Sequence, residues 1–263
     1  MYNKNLCVLI SSCDNYSDTW EPFFTLFFKY WRALPFPVYL SSETRSYNHA
    51  EVKNILSGKN KEWSQRLMEA LNKIESKYVL LLLEDYLLYQ TVDTQRIYKL
   101  MQVIEETSAA YLRLIPAPEP DVSLPNHKGI GIINKGATYR VSTQAAIWNR
   151  DALLSLLVPN ESVWQFEYEG TERSNNLPNL FLSLEKNKKN TPYPYPYIPT
   201  SIVRGKWTHN AVSLCRKENI KLDLNYRKMQ TLQEHFGINT YFALPKPLQH
   251  LHDFILNKIK KRK

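Results

Sequence analysis

The sequence predicts an α/β fold: a mostly parallel central sheet flanked by helices and closed by C-terminal helices. Three observations carry that expectation. Through the first half, short apolar runs alternate with stretches whose apolar residues recur at helical spacing. Each apolar run gives way to polar residues at its carboxyl end. The most apolar run, Tyr78–Leu83, shows no alternation, as befits a strand covered on both faces.

The elements follow in order. Leu6–Ser11 reads as a first strand that ends in the polar loop SSCDNYSD. A helix follows over 18–34, with Phe23, Phe24, Phe27, Phe28 and Trp31 on one broad face, Asp18 as its cap and Pro22 in its first turn. Residues 38–40 form a second strand. Leu67, Leu71 and Ile74 mark the stripe of the next helix, which leads into Tyr78–Leu83. Asp93 caps a helix running to 107, and the strand in AAYLRLIP ends in a proline-rich loop. Residues 129–157 suggest two short strands and a helix from about Arg150. The alternation PYPYPYIP reads as extended, tyrosine-packed chain, and helices are expected over 221–237 and 247–263.

Composition sets the outer limits. The 263 residues are 43% hydrophobic and 22% charged, which suits one large globular domain. The net charge of +9 favours an anionic partner, yet five of the positive charges sit in the closing KIKKRK. Cys7, Cys13 and Cys215 have no metal-ligand spacing and fit a reducing compartment. No run reaches membrane-spanning length. Helix-turn-helix, zinc and RNP-like signatures are missing, so no nucleic-acid partner is expected. P-loop and dinucleotide fingerprints are missing too.

The chemistry is expected where Tyr78–Leu83 ends on Glu84 and Asp85. Burying an unpaired carboxylate costs several kcal/mol by roughly any reckoning, so such a strand end requires a partner. Ligands bind open α/β sheets outside the carboxyl ends of the strands. Hard cations such as Mg²⁺ or Mn²⁺ bridge one or two carboxylates to phosphates there.

VLISSCDNYSD, and WSQRLMEALNKIESKYVLLLLEDY after it, together resemble the bacterial glycosyltransferases of the GT-A fold that build surface polysaccharide (lipopolysaccharide or capsule). The likeness runs over residues 5–90 and more loosely to about 210. It implies a GT-A-like domain over 1–240, with a nucleotide-sugar half over 1–120 and an acceptor half over 121–240. Residues 241–263 would form an amphipathic basic tail. Asp14 would hold the base or ribose, with Ser11, Ser12 and Tyr16 beside it, and Ser64 and Arg66 would approach the nucleotide or its sugar. Glu84 and Asp85 stand where that family carries a metal-binding Asp-x-Asp. Here Glu-Asp-Tyr replaces it, which leaves a divalent metal to Asp85 alone or removes it.

The resemblance extends to the reaction. Inverting transfer to a hydroxyl needs a base, and Glu167 is the candidate, ahead of Glu169. Trp164 lies one helical turn before Glu167 and suits stacking on an acceptor sugar, with Gln144 as a hydrogen-bonding neighbour. Arg204 and Lys206 flank Gly205 and could clamp a diphosphate, and His209 could add a metal ligand. Leu248, Leu251, Phe254, Ile255 and Ile259, followed by the basic cluster, match an interfacial helix. The expected setting is therefore cytoplasmic, on the inner face of the cell membrane, with a glycan or lipid-linked glycan as acceptor. A nucleotidyltransferase, a catalytically inactive nucleotide-sugar-binding protein and a nucleic-acid-binding protein are the alternatives. The loop SSCDNYSD lacks the Gly and basic residues that the first of these would carry.

Overall fold

A computed structural model describes residues 5–186 and 192–235. Two compact units divide it, residues 1–199 and 200–263. The expected basic tail and the helix over 247–263 lie outside the described residues.

The first unit is an α/β sheet of nine strands in the order β3-β2-β1-β4-β8-β5-β9-β7-β6. The strands are β1 (Leu6–Ser11), β2 (Val38–Ser42), β3 (Val52–Leu56), β4 (Tyr78–Leu83), β5 (Tyr111–Arg113), β6 (Val122–Ser123), β7 (Ile130–Ile132), β8 (Ala146–Asn149) and β9 (Phe181–Leu184). β7 and β8 run against all the others, so the sheet is mostly parallel, as expected.

Helices cover both faces. They are α1 (Trp20–Tyr30), α2 (Trp63–Asn72), α3 (Thr94–Thr107), α4 (Arg150–Leu156) and α5 (Val163–Ser174). The connection from β1 to β2 and the return from β3 to β4 cross the sheet in opposite senses. Right-handed crossovers therefore place α1 and α2 on opposite faces. Cys7, Leu9, Val79 and Leu81 pack with Leu67 and Leu71 of α2, Leu153 of α4 and Phe166 of α5. Their alternates Val8, Ile10, Leu80 and Leu82 are equally buried on the other side. There α1 joins α3 through the Trp31 indole, which donates to Thr94 Oγ1 at 2.8 Å, and through the Phe36–Tyr98 ring contact.

Local chemistry corrects three expectations. A 3₁₀ turn over Asp14–Thr19 precedes α1, so Thr19 rather than Asp18 occupies the N-cap position. The second strand runs on to Ser42. The helix expected over 221–237 is absent through 230. Asp223 accepts from the backbone of Asn225 and Tyr226, and the chain then pairs with Trp207, which donates to Lys228 O and accepts from Gln230 N. Asp93, as expected, caps α3 by accepting from Arg96 N at 2.9 Å.

The second unit opens with the hairpin β10 (Ile202–Val203) and β11 (Lys206–Trp207). Arg204 and Gly205 form its two-residue turn, both at positive φ (52° and 73°). Its helix α6 spans His209–Lys217.

Candidate active site at the carboxyl edge of the sheet

The strand order reverses direction between β1 and β4, and the crevice above such a point is where α/β sheets take ligands. Ser11 lies in register with Leu83, which sets the loop after β1 beside Glu84 and Asp85. Glu84 is only 8% exposed, and Asp85 is half-buried. The Cys13 thiol is pushed up to about 11 by burial and then by the negative charges of Glu84 and Glu43. That dependence puts both carboxylates around Cys13. Arg66, from the first turn of α2, completes the group: its Nη1 lies 3.4 Å from Glu43 Oε1.

The predicted donor residues take unequal places here. Ser11 and Ser12 are buried at the crevice, and the Ser12 hydroxyl accepts from the Trp20 indole at 2.8 Å. Asp14 turns toward the loop after β2, where its carboxylate accepts from Thr44 N and Arg45 N, both at 3.0 Å, and from the Thr44 hydroxyl. Burial pushes Asp14 up, but hydrogen bonds from the Thr44 side chain and the backbone of Arg45, Thr44 and Glu43 outweigh it and hold the carboxyl below the usual range. Tyr16 sits in the 3₁₀ turn next to it. Ser64 is fully buried and ties α2 to the loop before α5, its hydroxyl accepting from Glu161 N at 3.0 Å. Ser64 thus serves the packing of the unit, in the same first turn of α2 as Arg66.

A second group of residues gathers where β8 begins. β8 runs antiparallel to β4 with Leu81 opposite Ala146, so residues 139–145 reach the same edge as Glu84 and Asp85. Side chains distant in sequence grip this segment, among them Thr171, whose hydroxyl accepts from Val141 N at 3.1 Å. Glu167 Oε1 accepts from Thr143 N (2.6 Å), Thr143 Oγ1 (2.8 Å) and Ser142 Oγ (3.2 Å). The hydroxyls of Tyr86 and Tyr111 donate to Thr143 O and Ser142 O at 2.9 and 3.2 Å. Tyr197 donates to Gln144 Oε1 at 2.8 Å and accepts from Ala145 N at 3.1 Å. Arg113, fully buried at the end of β5, donates to Tyr139 O and Pro118 O at 3.0 and 2.8 Å.

The burial of Tyr86 drives its phenol far above the ordinary range, and the charges of Asp85 and Glu167 add to the shift. Asp85 and Glu167 are thus near enough to act on one phenol, and the two groups of residues meet at Glu84–Tyr86. Glu43, Arg113, Thr143 and Tyr197 carry no sequence motif, and Tyr86 entered only as the last residue of Glu-Asp-Tyr. The one available signal was the tyrosine-rich PYPYPYIP, which supplies Tyr197.

Trp164 is 73% exposed in the first turn of α5, and Gln144 is half-buried. Arg204, Lys206 and His209 belong to the second unit. There Lys206 Nζ pairs with Glu234, Arg204 is exposed in the hairpin turn, and the His209 ring meets His235 at 4.9 Å. Among the described residues no three His, Cys, Asp or Glu side chains converge as a ready-made metal cage. No described helix is long and apolar enough to cross a membrane.

No family model and no curated protein matches the chain. Among solved structures it is similar to S. aureus TarS 1–349, with 11% identity and a TM-score of 0.46, over 73% of this chain and 59% of that one. It is also similar to the bifunctional IspDF from Campylobacter jejuni, with 11% identity and a TM-score of 0.42, over 75% and 52% of the two chains. For S. aureus TarS 1–349 in complex with UDP-GlcNAc the values are 12% and 0.40, over 71% and 60%. The chain thus spans little more than half the length of these proteins.

Proposed function

We propose that the chain is a nucleotide-sugar-dependent glycosyltransferase that transfers a sugar, with inversion, to a hydroxyl of a growing bacterial surface glycan. The observation that carries this reading is the placement of Glu84 and Asp85 at the point where the sheet's strand order reverses, one strand from the loop before β8 that Glu167 clamps from α5. In this reading Ser11, Ser12 and Tyr16 border the nucleotide, with Asp14 shaping their loop through Thr44 and Arg45. Arg66 and Glu43 flank it from α2 and the loop after β2.

Asp85, with Glu84, faces the diphosphate or its sugar. As hard oxygen ligands they fit one side of a Mg²⁺ or Mn²⁺ whose other ligands come from the diphosphate and water. Such an ion would supply charge neutralisation at the leaving group. Glu167 takes the proton of the acceptor hydroxyl on Oε2, since the described hydrogen bonds hold Oε1. The acceptor oxygen bonds to the anomeric carbon from the face opposite the diphosphate, and the bond from that carbon to the phosphate oxygen breaks. Trp164 and Gln144 border the acceptor. The work takes place at the inner face of the cell membrane, to which the basic tail would adhere.

The test incubates a panel of nucleotide sugars with the protein and identifies the released phosphate product. One donor yielding a nucleoside diphosphate, in wild type and not in Glu167→Gln, supports the reading. Pyrophosphate released from a nucleoside triphosphate and a sugar phosphate would indicate nucleotidyl transfer instead. Binding without turnover would indicate an inactive relative.

A further inference from the structure

The helix that carries Glu167 also displays the largest exposed aromatic surface described. Trp164 and Tyr168 are 73% and 69% exposed, one turn apart on α5. Leaving two large rings in water forfeits the burial that aromatic side chains otherwise gain, and rings so displayed are characteristic of recognition surfaces. Neither ring stacks on another among the described residues, although rings contact one another widely through the core. The remaining five of the six tryptophans (Trp20, Trp31, Trp63, Trp148 and Trp207) are 5% exposed or less.

Helix geometry connects this pair to the site. Thr171, Glu167 and Trp164 succeed one another along one side of α5, at spacings of four and three residues. Thr171 bonds to Val141, and Glu167 bonds to Ser142 and Thr143. The clamped loop therefore runs along α5 toward its amino end, and Trp164 is the next position on that row. Tyr168 carries the aromatic surface around the helix, away from the loop. Gln165, Glu169 and Glu172, all exposed, border it with hydrogen-bonding groups of neutral or negative character. Ring faces meet the C–H faces of equatorial sugars, while amides and carboxylates take their hydroxyls. The carboxylates repel an anionic polymer or lipid surface.

We propose that Trp164 and Tyr168 form an extended subsite for a neutral or N-acetylated β-linked oligosaccharide, so that the acceptor is a chain of at least two sugars rather than a single one. The proposal rests on the glycosyltransferase reading for its biological role, but its test does not. Because the other tryptophans are buried, acrylamide quenching of fluorescence reports on Trp164. Cello- and chito-oligosaccharides of one to five units are the probes. Oligomers are expected to protect Trp164, with affinity rising from one unit to three. Tyr168→Ala should weaken the longer oligomers about tenfold, the loss expected when one stacked ring is removed, and leave the monosaccharide unchanged. Thermal shifts with nucleoside diphosphates in wild type and Tyr168→Ala provide the independent control. If they persist while no oligomer protects Trp164, the subsite is refuted and the transferase reading stands. If oligomers protect and no nucleotide binds, the subsite stands and the transferase reading falls. Protection that appears on raising protein concentration alone, or on adding anionic vesicles alone, assigns the surface to a second copy or to lipid and overturns the proposal.

Discussion

Glu167 holds the loop before β8 as well as being the base we propose, and substitution separates the two roles. Glu167→Ala removes an acceptor serving three donors, two on Thr143 and one on Ser142, residues each only 4% exposed. Each buried donor left unsatisfied costs about 1–3 kcal/mol, and two of the three can turn or find water only in part. A total loss of about 2–4 kcal/mol follows, which for a domain of this size lowers Tm by roughly 4–16 °C. Glu167→Gln keeps an amide oxygen where Oε1 stood and loses only the charge assistance, so it costs about 1 kcal/mol or less. Urea denaturation of both variants, followed by circular dichroism, measures the difference directly. Equal stabilities for Ala and Gln would refute the clamp, because only the clamp distinguishes an acceptor from a methyl group.

Three further outcomes follow from the same structure. Arg113→Lys keeps the charge but cannot span Tyr139 O and Pro118 O with one ammonium, so it should destabilise by about 2–4 kcal/mol in the same assay; a change under about 0.5 kcal/mol would deny Arg113 its structural role. The Asp14 carboxyl is held below its ordinary value of 3.8, so its contribution is complete above that value and is lost as pH falls through the lower folded value. Asp14→Asn should therefore flatten the acid limb of the stability profile, and an unchanged limb would contradict the assignment. Cys13, raised from 9.0 to about 11, should alkylate with iodoacetamide at pH 8 about 100-fold more slowly than a free thiol. Glu84→Gln removes one of the charges that raise it and should accelerate labelling, whereas no acceleration would place Glu84 away from Cys13.

Much of the architecture was legible because it rests on local pattern. Leu6–Ser11 and Tyr78–Leu83 are continuous apolar runs long enough to be strands and too short for helices, and both form as read. Asp93 announces α3 because an N-cap acts within four residues. β3 escaped notice because an edge strand buries only Val52 and Ile55 and leaves the remainder polar. Of the helix expected over 221–237, residues 232–235 are helical, while 221–230 are not, because of tertiary pairing with Trp207, which no local period reveals. The site divides in the same way. Glu84, Asp85 and Glu167 stood out as carboxylates beside apolar or aromatic residues. The clamps did not, because Tyr86, Tyr111 and Tyr197 reach partners 57, 31 and 52 or 53 residues away. That Asp14 also accepts from Thr44 and Arg45 was not legible, because it depends on the loop after β2 lying beside the loop after β1 in a parallel pair.

The most direct measurement is binding of a panel of nucleoside diphosphates, followed by thermal shift, with and without Mn²⁺, in wild type and Asp85→Ala. The glycosyltransferase reading predicts that one nucleotide stabilises the wild type and that the stabilisation is lost in Asp85→Ala while the variant remains folded. If both proteins are folded and none of the nucleotides stabilises the wild type, the crevice between β1 and β4 is not a nucleotide-sugar site.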